Sequence, residues 1–429
     1  MTKAIDKDIV IIGGGAAGFF TAINIAENSP GARIRILERG AEVLTKVKVS
    51  GGGRCNVTHA EFLPKELAAN YPRGAKELLG PFHKFMTGDT IEWFESRGVA
   101  LKIEEDGRMF PVTDNSQTII DCFTSETERL GIAVKRNCSV KRILKKDDGW
   151  ELETTKETLS AQILVVATGS NPKIWQQLTA LGHTIVPPVA SLFTFNINDA
   201  RIDDLPGVAT NASVEVLGSP SDAESEEHVL NNKKLQKLKS VLHAQGPLLI
   251  THWGMSGPAI LKLSAWGARI LAPLQYKFLI RVNWLTDVSE ENCSTRLQEI
   301  KDTFPKQSLY THAQFGLPKR LWRNILIGCE IVKDEPWAAI SRKQLRRIAV
   351  ALTASIFKVT GKSTFKEEFV TAGGVELTEV HFKTFESKLH PNLYFAGEVL
   401  NIDAITGGFN FQNAWTGGFM VAQAVSEKC

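Results

Sequence analysis

Residues 8–28, DIVIIGGGAAGFFTAINIAEN, set an apolar run of strand type against three glycines and then a helical pattern of small and apolar residues. No other stretch restricts the fold as tightly. Gly13, Gly15 and Gly18 stand at G-x-G-x-x-G spacing. The first lets the chain turn tightly, the second leaves room for a pyrophosphate against the backbone, and the third lets the helix pack on the strand. Ala16 and Ala17 open that helix, whose unpaired N–H groups and dipole favour an anion. A second apolar run, RIRILERG, ends in Glu38-Arg39, with Glu38 twenty positions after Gly18. A carboxylate there accepts hydrogen bonds from both ribose hydroxyls and repels a 2′-phosphate. Strand, helix, strand and acid together predict a dinucleotide-binding βαβ unit at the start of an α/β fold.

Which dinucleotide it holds is decided by glycines elsewhere. KVSGGGRCNVTH (48–59), TAGGVEL and TGGFNFQ lack the strand before and the acid after that a second fingerprint needs. A nicotinamide nucleotide alone has no use for such distant loops. A flavin does, because its isoalloxazine lies far from the adenosine end. SAQILVVATGS (160–170) predicts a further parallel strand ending at Ala167, Thr168 and Gly169. Near the end, LYFAGE predicts a strand closing on Gly397 and Glu398. Asp403 follows, and Gly407-Gly408 precede a helix that begins at Phe409 and Asn410.

The 429 residues have room for two or three domains, and 43% hydrophobic content is ample for their cores. A net charge of +3 argues against a dedicated nucleic-acid surface. The six cysteines have no paired spacing, so neither a disulfide framework nor a metal site is expected. No apolar stretch reaches membrane-spanning length, and the first residues lack a signal-peptide layout, so a reducing cytoplasm is the expected location. From about 190 to 345, short alternating runs such as SLFTFNI, NASVEVLG, PLLITHW and YKFLIRVNW predict an antiparallel, barrel-like sheet. SPSDAESEEH reads as an acidic turn, and TDVSEENCSTRLQEIKDTF, PKRLWRNILIGC and RKQLRRIAVALTASIFKV read as helices. In THWGMSGPAIL, Ser256 is the expected N-cap of a helix with Pro258 in its first turn. His252 in the same motif is a candidate proton donor or acceptor, with a local bond holding the turn as the alternative.

The motifs IIGGGAAG, SGGGRCNVT, THWGMSGPAIL, VTAGGVEL and ESKLHPNLYFAGEVLNIDAITGGFNFQNAWTGG, in this order, resemble the BaiN/YhiN-like flavoproteins of the two-dinucleotide-binding-domain class. The resemblance implies FAD. It also implies a Rossmann-like domain built from 1–190 and 346–429, interrupted at 191–345 by a mixed β-barrel-like and helical domain. By position, Ser50, Gly51, Gly52, Gly53, Arg54, Cys55 and Asn56 would line the isoalloxazine and ribityl chain. Arg54 would stabilise negative charge on reduced flavin, with Lys46 adding positive potential. Cys55 has no cysteine two or three positions away, so it reads as a small packing residue. Phe409 stands where tyrosine is common, so that hydroxyl is absent. The implied activity is FAD-dependent oxidoreduction of a small organic substrate, with NAD(P)H, if it is the donor, docking transiently at the flavin. An amine or alcohol oxidase using oxygen fits the same motifs. An RNA-associated or regulatory flavoprotein is the reading from another class, and it predicts a basic surface with salt-sensitive RNA affinity.

Overall fold

Strand β1 (Asp8–Ile12) lies in the interior of a seven-stranded sheet, and its last four residues are buried. In this computed structural model, which describes residues 7–218, 242–363 and 370–429, the chain forms two compact units. One comprises Met1–Val189 and Phe365–Cys429, and the other Ala190–Thr364. The acidic turn expected at 219–228 lies outside the described residues.

In the first unit, β1 pairs in parallel with β2 (Arg33–Leu37) on one side and with Ile163–Val166 on the other. Ala133–Lys135 and Leu393–Phe395 extend the parallel sheet outward. Ile163–Val166 is buried at every position, as a strand covered on both faces requires. Ile12 stands level with Leu37 and Val166, and Val166 with Phe395. The turns that follow these strands therefore emerge side by side at the carboxyl edge, where open α/β sheets bind ligands. Helix α1 (Ala16–Asn28) packs there against the C-terminal helix Phe409–Ser426. Small residues permit the close crossing: a methyl group on Gly418 would lie 2.9 Å from the Thr21 hydroxyl. Phe20 fills the remaining space against Trp93 and Trp415, at ring separations of 4.7 and 5.3 Å.

The second unit is a closed six-stranded barrel with helices. Its last strand, Ser355–Ser363, pairs with Phe278–Asn283 and with Thr194–Ile197 and so completes the closure. That strand corrects two expectations. The helix read over 342–359 ends at Thr353, and the following SIFKVT alternates buried with exposed positions. The second unit consequently runs to 364, where the sequence places the end of the insertion at 345. Ser256 is corrected as well. It ends the strand Gly254–Ser256 and accepts a hydrogen bond from the Thr194 hydroxyl at 3.1 Å. The N-cap is Gly257 at φ +91°, where a methyl group would lie 2.8 Å from the Pro247 carbonyl oxygen.

One buried polar group in the first unit sets a pH response. His183 bonds Glu379 through Nδ1 at 2.8 Å and Ser387 through Nε2 at 3.0 Å. Burial lowers its pKa below the ordinary 6.5, and the contact with Glu379 offsets this only in part. Glu379 is itself buried enough to be pushed up, yet hydrogen bonds from Thr184 and His183 hold it below the usual carboxylate value. A histidine depressed on folding stabilises fully above its unfolded pKa, and the contribution is lost as pH falls through the folded value. The melting temperature should therefore decline below about pH 6.5, and His183→Asn should flatten that decline. An equal slope in the variant between pH 5 and 6.5 would show that His183 is not its source.

Candidate functional site

The cradle begins where β1 ends. Gly13 donates to the Leu37 carbonyl at 2.9 Å, Ala167 to Ile12 at 2.8 Å and Ala396 to Val166 at 3.1 Å, which locks three turns in register. Gly13 has φ +116°, and a methyl group on it would lie 2.3 Å from the Ala167 carbonyl oxygen. On Gly18 the methyl would lie 2.0 Å from the Gly13 oxygen. On Gly15 it would meet nothing within 4 Å. The fingerprint thus separates into two glycines required by packing and one facing open space, which is the division that pyrophosphate binding needs.

Glu38 accepts from the Gly14 N–H at 2.9 Å and from the Gly40 N–H at 2.7 Å, one on each oxygen. An ionised carboxylate has about four acceptor positions, so capacity for a ribose remains. Arg39 is exposed. Lys46 pairs with Glu398, and a methyl group on Gly169 would lie 3.5 Å from the same Glu398 carboxylate. The Thr168 hydroxyl contacts the Gly169 carbonyl at 3.4 Å.

A helix starting at Thr45 breaks at Ser50, which takes ψ 148°. Gly51, Gly52 and Gly53 then all adopt left-handed φ, at 59°, 69° and 85°. Each would cost an L-residue about 1–2 kcal/mol, and three in succession explain why the sequence repeats glycine here. Gly51 fits against Phe110, whereas Gly52 and Gly53 face space that no protein atom fills within 4 Å of a built methyl. The loop is braced by Ser116, whose N–H donates to Gly53 at 2.9 Å and whose hydroxyl donates to Lys48 at 2.8 Å.

Arg54 stacks on Phe110 at 3.9 Å and pairs with Glu104 at 2.5 Å and Asp114 at 3.4 Å. The bond to Glu104, more than that to Asp114, raises its pKa further. Its charge is therefore already offset by two carboxylates. Cys55 is buried, and burial pushes its thiol up to about 12, so it stays protonated at neutral pH. Asn56, with its amide nitrogen donating to the Met109 and Thr58 carbonyls, accepts from the Gly408 N–H at 3.0 Å.

That last bond joins the glycine loop to the C-terminal helix. Gly407 and Gly408 have φ +130° and +94°, and a methyl group on Gly408 would lie 2.5 Å from the Thr58 carbonyl oxygen. The helix opens at Phe409 with neither a capping side chain nor an acid in its first turn. Asn410 accepts from the Ala404 N–H at 3.0 Å and donates to the Ala404 carbonyl at 3.3 Å. Asp403 is fully buried, and both its oxygens engage Arg73. Gly397 lets α1 approach, with 3.1 Å between a built methyl and the Ala17 β-carbon.

All the residues expected to bind the cofactor belong to the first unit. His252 belongs to the second unit, on an exposed turn between the strands His243–Thr251 and Gly254–Ser256. The sequence reading missed His59, Tyr71, Arg73, Phe110 and Gln412. His59 stacks on Phe409 at 4.5 Å and contacts the Gly407 carbonyl at 3.1 Å, and burial lowers its pKa. It lies inside the stretch KVSGGGRCNVTH, and its place just after the glycine run is a signal the sequence carries. The others act through contacts distant in sequence, such as Tyr71 donating to the Phe409 carbonyl at 2.5 Å and Thr58 donating to Gln412 at 2.6 Å. No local pattern marks them.

The two kinds of glycine separate folding from binding. Gly15→Ala should leave the melting temperature of FAD-free protein unchanged and weaken FAD at least about tenfold, because only the ligand competes for its space. Gly18→Ala should destabilise the FAD-free protein by a few kcal/mol, roughly 2–4. Unaltered FAD affinity in Gly15→Ala would remove the pyrophosphate from this turn.

The family model described as the HI0933-like protein Rossmann domain matches residues 7–424. The chain is 28% identical over 424 residues to a ribosomal RNA dihydrouridine synthase of Escherichia coli, covering 97% of each chain. It is 27% identical over 433 residues to the enzyme of that name from Haemophilus influenzae, covering 98% of each. A 3-dehydro-bile acid delta(4,6)-reductase of Clostridium scindens is 25% identical over 429 residues, covering 98% of this chain and 99% of the relative. Among the described residues, no helix is long and apolar enough to cross a membrane. The chain belongs to the HI0933-like Rossmann family and is an FAD-dependent oxidoreductase.

Proposed function

We propose that the protein saturates the C5=C6 double bond of a uracil base in ribosomal RNA, with a nicotinamide nucleotide as the electron donor. One observation carries this reading: of the three relatives matched through both the 190–364 unit and the FAD-binding one, the two of higher identity, at 28% and 27%, are dihydrouridine synthases, and the bile-acid reductase stands at 25%. An FAD cradle alone is compatible with many substrates, because fold does not fix function. Similarity across the second unit extends the likeness beyond the cofactor.

The bile-acid relative supports the same chemistry from another substrate. A 4,6-reductase of a 3-oxo steroid and a dihydrouridine synthase both saturate a carbon–carbon double bond conjugated to a carbonyl. Such a reaction adds a hydride at the β-carbon and a proton at the α-carbon. Bound FAD supplies the hydride chemistry. The residues of this chain hold it and shape its surroundings. Gly52 and Gly53 leave space beside the backbone, and the uncapped N–H groups at Phe409 present a positive helix end that favours negative charge. The Cys55 thiol, buried and protonated, has no part in electron transfer.

FAD-loaded protein, given NADH or NADPH anaerobically with unmodified ribosomal RNA, should yield a uridine that has gained two hydrogens by nucleoside mass spectrometry. RNA that stays unmodified, with bleaching by an amine or alcohol in the absence of nicotinamide, would contradict the reading and indicate an oxidase.

A further inference from the structure

The second unit carries a charge excess that overall composition hides. Residues 306–347 contain nine lysines and arginines against three acids, a local +6 in a chain whose total is +3. Part of it is neutralised from outside the stretch, since Arg346 pairs with Glu290, while Arg347 pairs with Glu330, one of the three acids already counted. Lys319, Arg320, Arg323 and Lys333 form no ion pair among the described residues. All four line one surface pocket of about 510 Å³, together with Tyr310 and Ile327. Arg320 donates to the Asp204 carbonyl, and Arg323 to the Tyr310 carbonyl at 3.4 Å. Carbonyl contacts orient a guanidinium without cancelling its charge. Two carboxylates, Asp204 and Asp334, also border the pocket and leave its side-chain balance at +2.

Folding alone does not favour this arrangement. Lys319 and Arg320 occupy the first turn of the helix Lys319–Gly328, which has no acid there, so their charge adds to the positive helix end. Like charges gathered without partners repel one another, and a bound polyanion relieves that cost. The pocket is of a size that takes one nucleotide-sized group, and Tyr310 and the 60% exposed Ile327 supply apolar surface beside the cations. Cations combined with an aromatic surface are the combination that binds single-stranded nucleic acid, through phosphates and through stacked bases.

We propose that this pocket docks single-stranded RNA, with Arg320, Arg323 and Lys333 contacting successive phosphates. The proposal rests on the RNA reading above and gives that substrate a holding surface on the second unit.

The test titrates the FAD-loaded full chain with a labelled, uridine-containing single-stranded RNA across a salt series. It compares wild type with Arg320→Gln/Arg323→Gln/Lys333→Gln and with a control, Arg342→Gln/Lys343→Gln. The triple variant should bind at least about tenfold more weakly. Its log K against log[salt] slope should be shallower by about 2, because three phosphates are no longer neutralised. FAD content, melting temperature and bleaching by nicotinamide should stay at wild-type levels. RNA affinity unchanged in the triple variant overturns the proposal. So does a loss of NADPH affinity alone, which would make the pocket a nicotinamide-phosphate site. If wild type forms no dihydrouridine yet the triple variant loses RNA affinity, the docking surface stands and the substrate assignment falls. If wild type forms it and the triple variant binds and reacts equally well, the reverse holds.

Discussion

Where α1 leaves the sheet, a methyl group on Gly18 would sit 2.0 Å from the Gly13 carbonyl oxygen, and one on Gly13 would sit 2.3 Å from that of Ala167. Backbone touches backbone there, and the arrangement of the carboxyl edge follows from those close approaches. They place the first turn of α1 beside the turns after Ile163–Val166 and Leu393–Phe395. They also leave Gly15 facing open space. A third such approach, Gly408 against the Thr58 carbonyl, ties the C-terminal helix to the strand that follows the glycine loop. Segments nearly 400 residues apart in the chain are thereby brought to one edge by backbone contact.

The charges around this backbone frame are mostly paired. Glu38 braces two backbone N–H groups, Lys46 pairs with Glu398, and Arg73 grips Asp403. Arg54, the cation adjoining the three left-handed glycines, is held between two carboxylates and the Phe110 ring. Such pairing fixes side chains before any ligand arrives, which is the preorganisation that lets a site act without rearranging. The cations around the pocket of the second unit contrast with this pattern, and the small total charge of the chain conceals them.

Sequence alone revealed the features that depend on backbone chemistry over a few residues. The G-x-G-x-x-G turn, the GGG run and the Gly407-Gly408 pair could be read because left-handed φ, close backbone approach or ligand space calls for glycine at each of them. The alternating runs that form the barrel were legible for the same local reason. The strand Ser355–Ser363 was not, because it follows directly on a basic amphipathic helix and the join at Ala354 has neither glycine nor proline. Ser256 looked like a cap because it has a capping side chain, but its hydroxyl is engaged by Thr194 of the neighbouring barrel strand. The partners of the cradle, Tyr71, Arg73 and Phe110, depend on pairings made only when the chain has folded. The local basic excess was also present in the sequence, and averaging over 429 residues diluted it.

The measurement closest to the centre of this account is the identity and amount of the chromophore released when the purified protein is denatured. The cradle predicts a yellow protein that releases FAD, close to one molecule per chain, from the native state. A colourless protein that cannot be loaded with FAD, or one that releases a different nucleotide, would contradict it.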